Sequence, residues 1–128
     1  MYQSQSCAPT DTAAQAAEAL RRLCHQTQSA DAFEDASDVY SAIGNLEWAT
    51  TCLRQALEQI SRALQVKAAH GTVYDDRRTD PAVTVQRVSE SMDAAARATA
   101  SLTAQLAEAS RQSSHLGGGR RAPLPPGE

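Results

Sequence analysis

Apolar residues recur at alternating steps of three and four along two long stretches of this chain, residues 36–64 and 85–116. This spacing averages 3.5 residues and keeps one stripe of a helix turned toward a partner helix. The pattern predicts two long helices that pack against each other or against other copies. The first stripe is Ala36, Val39, Ile43, Leu46, Thr50, Leu53, Leu57, Ile60 and Leu64, and the second is Val85, Val88, Met92, Ala95, Thr99, Leu102, Leu106, Ala109, Ser113 and Leu116.

Capping residues predict where the first two helices begin and end. A short first helix of roughly 18 residues begins near Thr10, where Thr10 or Asp11 can cap its first amides. Asp31 followed by Glu34 resembles a capping box, so the second helix should begin at Asp31. It should end before Gly71, which is placed to take the left-handed conformation after a helix.

The third helix has a strong start signal, with Asp80 as its N-cap and Pro81 at its first helical position. It should extend to Leu116, which three glycines follow. Residues 71–80 then connect two helices of nearly equal length, as in an antiparallel hairpin.

Gly44-Asn45 is the weak point of the second helix. A glycine inside a helix costs about 1 kcal/mol relative to alanine, and Gly-Asn is also a turn sequence. Because the apolar stripe keeps its phase across this dipeptide, we favour one continuous or slightly kinked helix, with a break as the alternative.

These elements predict an all-α fold: an antiparallel hairpin of two long helices with a shorter N-terminal helix packed on it as a three-helix bundle. We expect a flexible leader at residues 1–9, the bundle at 10–116 and a flexible Gly/Pro-rich tail at 117–128. Small or polar residues such as Thr50, Ala95 and Ser113 weaken both stripes. The hairpin therefore needs its first helix or a second chain to complete the core.

A row of alanines beside the first stripe indicates a surface that a neighbouring helix can approach closely. Trp48 lies opposite the stripe, where it is either an isolated exposed aromatic or an anchor for a partner. Tyr40 belongs to a row that changes from aromatic to charged along the helix, and its aromatic end should receive the first helix. The alanines are Ala42, Ala49, Ala56 and Ala63.

Charge and composition exclude several classes of protein. The net charge of −3 argues against a nucleic-acid-binding protein, and there is no apolar run long enough for a transmembrane helix. Alanine accounts for 25 residues, which favours helix but contributes little core volume. Without a visible secretory signal, and with three cysteines at irregular spacing, a cytoplasmic protein is expected.

Catalytic and cofactor chemistry is poorly supported by the sequence. The histidines, His25, His70 and His115, fall at three separate helix ends, and no metal-binding or nucleophile motif is present. Cys24 and Cys52 are expected to pack as small apolar groups. We therefore expect no enzyme, no cofactor and no metal.

The segment VYDDRRTDPAVTV at residues 73–85, with the ending SSHLGG, resembles small Ala- and Arg-rich helical proteins of actinobacteria. Some proteins of that kind are encoded on conjugative plasmids or other mobile elements. The resemblance covers roughly residues 31–118 and implies no catalytic residues.

The sequence thus favours a non-enzymatic helical protein-interaction module that self-associates or docks a helical partner. Its partner is a protein or a second copy, and neither nucleic acid nor a membrane. The alternatives are an accessory protein of a plasmid-transfer or secretion system, and a small-ligand or metal-binding helical bundle.

Overall fold

A computed structural model describes residues 8–117, and these residues form three helices without any strand. Helix α1 is Pro9–Gln26, α2 is Ala36–Ala69 and α3 is Pro81–Ser113. The all-α fold class is therefore confirmed, and α2 and α3 pack together along their length. Most of the predicted leader and tail lies outside the described residues.

The chain divides into two compact units, one ending at Asp35 and the other beginning at Ala36. In the first unit, α1 begins at Pro9 because proline supplies a preset φ at a position whose N–H needs no partner. Its N-cap is Ala8, which makes no side-chain cap, so the predicted capping by Thr10 or Asp11 is wrong. The predicted packing of α1 on the hairpin stays a prediction.

Helix α2 begins at Ala36, five residues after the predicted start at Asp31. A local turn explains the difference. The backbone N–H of Asp31 donates to the hydroxyl of Ser29 at 3.1 Å, and the N–H of Ala32 donates to the Ser29 carbonyl at 3.2 Å. Serine thus offers these amides partners that compete with helix formation.

Helix α2 is continuous through Gly44-Asn45, so the favoured alternative is confirmed. Its C-terminus also follows the prediction, because Gly71 has a φ of +71°. The N–H of Gly71 donates to the carbonyl of Ala68 at 3.0 Å, and the N–H of Thr72 donates to that of Lys67 at 3.2 Å. These two bonds are the Schellman pattern that satisfies the last carbonyls of a helix.

Helix α3 begins as predicted, since the Asp80 carboxylate accepts a hydrogen bond from the N–H of Ala82 at 3.0 Å. Its end comes at Ser113, three residues before the predicted Leu116. The hydroxyls of Ser113 and Ser114 donate to carbonyls of the last turn, at 3.1 and 2.7 Å, and so compete with further helical bonding.

Two side-chain contacts fix the pairing of α2 with α3. The hydroxyl of Thr103 donates to that of Thr50 at 2.8 Å, and the amide of Gln65 donates to the hydroxyl of Ser89 at 3.1 Å. Positions advance along α2 as they retreat along α3, so the two helices form the predicted antiparallel hairpin.

The faces in contact differ from the predicted stripes. In each helix every second stripe residue is buried or half-buried, whereas several of the stripe residues between them are exposed and several of the residues one position later are buried or half-buried in their place. In α3 these later residues are Ser89, Ala96 and Thr103, whereas Val88 and Leu102 are 39% and 49% exposed. In α2 they include Ser61, which is buried, whereas Ile60 is 56% exposed.

The physical reason for this rotation is the size of the side chains. Serine and alanine let two helix backbones approach more closely than valine or leucine do, and the serine and threonine hydroxyls hydrogen-bond within the contact. The amide of Gln65 bridges the Ser61 and Ser89 hydroxyls, and no buried polar side-chain atom of residues 8–117 lacks a partner.

The resulting core is thin. Within residues 8–117 the buried hydrophobic side chains are Val85 and Ala96, and no side chain is completely enclosed. Burying apolar area contributes roughly 25 cal/mol per Å², so a hairpin with this core gains little from its own folding.

Substitution by alanine is expected to have opposite effects at two glycines. A Cβ at Gly44 meets no atom within 4 Å, so Gly44→Ala should stabilise the fold by about 1 kcal/mol through helix propensity. Gly71→Ala should destabilise it by about 1 kcal/mol, because the left-handed conformation strains a residue with a Cβ. Urea unfolding followed by circular dichroism measures both, and a destabilised Gly44→Ala would contradict a continuous α2.

Candidate functional site

The residues predicted to bind a partner fall on different sides of α2. Ala42 and Ala56 are half-buried while Ala49 and Ala63 are exposed, all in one row. Trp48 is 68% exposed and lies about 160° around the helix from the row of Leu53 and its neighbours. Tyr40 is 39% exposed and lies in the row next to that of Val39. One flat interface centred on the row of Leu53 cannot therefore contain Trp48.

Beside the alanines lies a row of four aliphatic residues, of which Leu46 is half-buried and the other three are exposed. Val39 is 38% exposed, Leu53 46% and Ile60 56%, although all three belong to the predicted helix–helix stripe. Together with the alanines they form a second pattern with strict steps of three and four, which we name the apolar seam. The apolar seam is Val39, Ala42, Leu46, Ala49, Leu53, Ala56, Ile60 and Ala63.

The apolar seam is more hydrophobic than the surface that α2 turns toward α3. All eight of its residues are apolar, whereas the α3-facing rows include Thr50 and Ser61. The charged side chains of the middle of α2 project from other rows of the helix. These are Glu47, Arg54, Glu58 and Arg62.

Helix α3 extends this apolar surface. The exposed row of α3 contains Val88 and Leu102. Within the α2–α3 heptad pattern, this row has the same position in α3 as the row of Leu53 has in α2. In an antiparallel pair, equivalent heptad positions lie on the same side. The hairpin therefore has one broad apolar face and one polar face, with Trp48 away from the apolar face. Leu53 and Ile60 could not be recognised as surface residues from the apolar stripe alone, because their spacing fits the α2–α3 contact.

The hairpin tip is a closed polar cluster around Asp75. The Asp75 carboxylate is 4% exposed and accepts hydrogen bonds from the Arg77 backbone N–H at 2.8 Å and from its guanidinium at 2.8 and 3.1 Å. The Thr84 hydroxyl also donates to it, tying the tip to α3. The Arg77 guanidinium first, and then Thr84, hold the pKa of Asp75 far below its usual range.

The remaining side chains that could bind a metal or react are considered next. In residues 8–117 no group of three His, Cys, Asp or Glu side chains is close enough to hold a metal ion. Cys24 and Cys52 are exposed, so the expectation that they pack as apolar groups is wrong, and Cys7 lies outside the described residues. A shallow depression of about 370 Å³ beside Gln65 and Ser89 is lined by their hydrogen-bonded side chains.

Comparisons of the chain with known protein families, curated proteins and solved structures find no match. The resemblance to actinobacterial helical proteins therefore stays a prediction. No helix among residues 8–117 combines the length and hydrophobicity that crossing a membrane requires.

The Asp75 cluster makes stability depend on pH. A carboxylate whose pKa is lowered on folding contributes stability above its ordinary value of 3.8, and this contribution disappears as pH falls toward the lowered pKa. Asp75→Asn should therefore lower the thermal midpoint at pH 7 and lower it less at pH 3. Thermal unfolding at both pH values measures this difference.

Asp76→Asn is the matched control, since Asp76 is the next residue of the same tip and is exposed. It should leave the midpoint unchanged at pH 7. Equal effects of the two substitutions would show that the bonds to Asp75 do not hold the tip together.

Proposed function

We propose that this protein is a non-enzymatic helical interaction module that binds a helical surface through the apolar seam of α2. The observation that carries the proposal is the exposure of Leu53 and Ile60 in the middle of a continuous helix, flanked by alanines. Singly exposed aliphatic residues are ordinary, but a contiguous row on one face is typical of interaction sites.

The chemistry of the apolar seam supports a helix as the bound element. Aliphatic side chains repeating at steps of three and four form ridges, and alanines between them form shallow grooves. A second helix with the same spacing fits its own ridges into these grooves. A nucleic acid or a charged peptide would find no ionisable side chain within the seam.

The thin core of the hairpin supports the same proposal. Most of the buried side chains of residues 8–117 are small, while several large aliphatic residues stay exposed to water. Covering them would add apolar burial at roughly 25 cal/mol per Å². Binding therefore completes a hydrophobic layer that the hairpin by itself leaves open.

A single charge in the apolar seam tests this function. Leu53→Glu should weaken association of the full chain, with itself or with a captured protein, by about tenfold or more, because the carboxylate would be buried without a partner. Sedimentation velocity of the pure protein and affinity capture from a lysate of its source organism measure the two forms of association.

Gln55→Glu is the matched control, because it places the same charge two residues away, on the exposed row of α2 that contains Trp48 and lies away from the apolar seam. It should leave association unchanged, and Trp48→Ala separately tests the tryptophan as an anchor. The proposal fails if neither assay detects an association that Leu53→Glu weakens and Gln55→Glu preserves.

A further inference from the structure

We propose that the occupant of the apolar seam is a second copy of this chain, bound with its α2 antiparallel about a two-fold axis near Thr51. This inference rests on the proposed function and names its partner. It follows from the order of large and small residues along the seam, from the size of the apolar face, and from the absence of charge on it.

The apolar seam is complementary to itself when reversed. About a centre at Thr51, each aliphatic residue of one copy is level with an alanine of the other. The four pairs are Val39 with Ala63, Ala42 with Ile60, Leu46 with Ala56, and Ala49 with Leu53. Every large side chain thus enters the space over a small one, which permits close packing of the two helices.

A parallel arrangement lacks this fit. If two parallel α2 helices pack in register, Leu53 of one copy meets Leu53 of the other, and Ala49 meets Ala49. Layers of two bulky side chains then alternate with layers of two alanines, which leave gaps. Gaps and overpacking both cost stability in a helix interface. The order of residues therefore selects the antiparallel arrangement.

The apolar face has the size that a stable dimer needs. From Val39 to Ala63 the seam spans about 36 Å at 1.5 Å per residue, and two adjacent helices are about 20 Å wide, which gives a footprint of about 700 Å². Stable interfaces bury roughly 800 Å² on each partner. A helix of 18 residues, the length of α1, would span only about 27 Å of this seam.

The absence of charge on the apolar seam also favours a second copy of the chain as the partner. A face with a net charge would repel its own copy, but the apolar seam has no ionisable residue. The row that would border it, Asn45, Cys52, Gln59 and Val66, has no acidic or basic side chain either. Asn45 of one copy would lie near Gln59 of the other, and these amides can hydrogen-bond to each other.

Helix α3 would complete the assembly as a four-helix bundle. Thr103 contacts Thr50, so Leu102 lies level with the proposed axis. Leu102 of one copy would then meet Leu102 of the other, covering a side chain that is 49% exposed in the single chain. The same two-fold operation thus covers the exposed rows of both helices, as an isologous interface requires.

Sedimentation equilibrium of the purified full chain at micromolar concentrations tests the copy as partner. We expect a dimer that Leu53→Glu weakens by about tenfold or more, and that Gln55→Glu leaves intact. Ala49→Leu should weaken it similarly, because the added bulk meets Leu53 of the other copy. Since Ala49 is exposed and leucine is a good helix former, circular dichroism should show that this variant stays folded.

Cysteine cross-linking tests the direction of the helices. In a chain whose three native cysteines are replaced by serine, Asn45→Cys and Gln59→Cys are made as two separate single-cysteine variants. A mixture of the two should form a cross-linked heterodimer with a short bismaleimide, and each variant alone should not. Cross-linking of each variant alone would indicate parallel helices and overturn the antiparallel proposal.

The outcomes separate this inference from the proposed function. A folded monomer whose capture of a different protein is weakened by Leu53→Glu would overturn the second copy as partner and leave the interaction module standing. A dimer that tolerates Leu53→Glu would also overturn it. A folded monomer without any association that depends on Leu53 would overturn both proposals.

Discussion

The close contact between α2 and α3 is the constraint on which the rest of this structure depends. It is made through small side chains, among them Ser61, Ser89 and Ala96, and through a hydroxyl pair between Thr50 and Thr103. A hydrogen bond of this kind contributes only about 1 kcal/mol net. The larger effect of these small residues is geometric, because they fix how each helix is rotated about its axis.

That rotation decides which residues face water. With the small residues turned inward, the aliphatic row of α2 is displaced to one side of the hairpin, and the corresponding row of α3 is displaced to the same side. Leu53, Ile60 and Leu102 remain about half exposed as a result. The thin core and the broad apolar face are therefore two consequences of one packing choice, and the face provides the surface for the proposed partner.

Part of the candidate site could be predicted from the sequence. The row of alanines predicts a surface for close approach, and the helical spacing places Trp48 opposite the stripe. Leu53 and Ile60 were missed because their spacing fits a helix–helix contact equally well. The available signal was the alternation of large and small residues in the apolar seam, which forms a second pattern of threes and fours beside the first.

The sequence by itself determined the three helices, the continuity of α2 across Gly44, the glycine stop at Gly71 and the aspartate cap at Asp80. The stop and the cap depend on local backbone preferences and on side chains that bond within one turn, and the continuity at Gly44 follows from the unbroken phase of the apolar stripe. Only the tertiary structure decided which rows of the two helices meet. Neighbouring rows of a helix differ by only about 40–60° in direction, so the choice between them depends on how closely the partner backbone can approach.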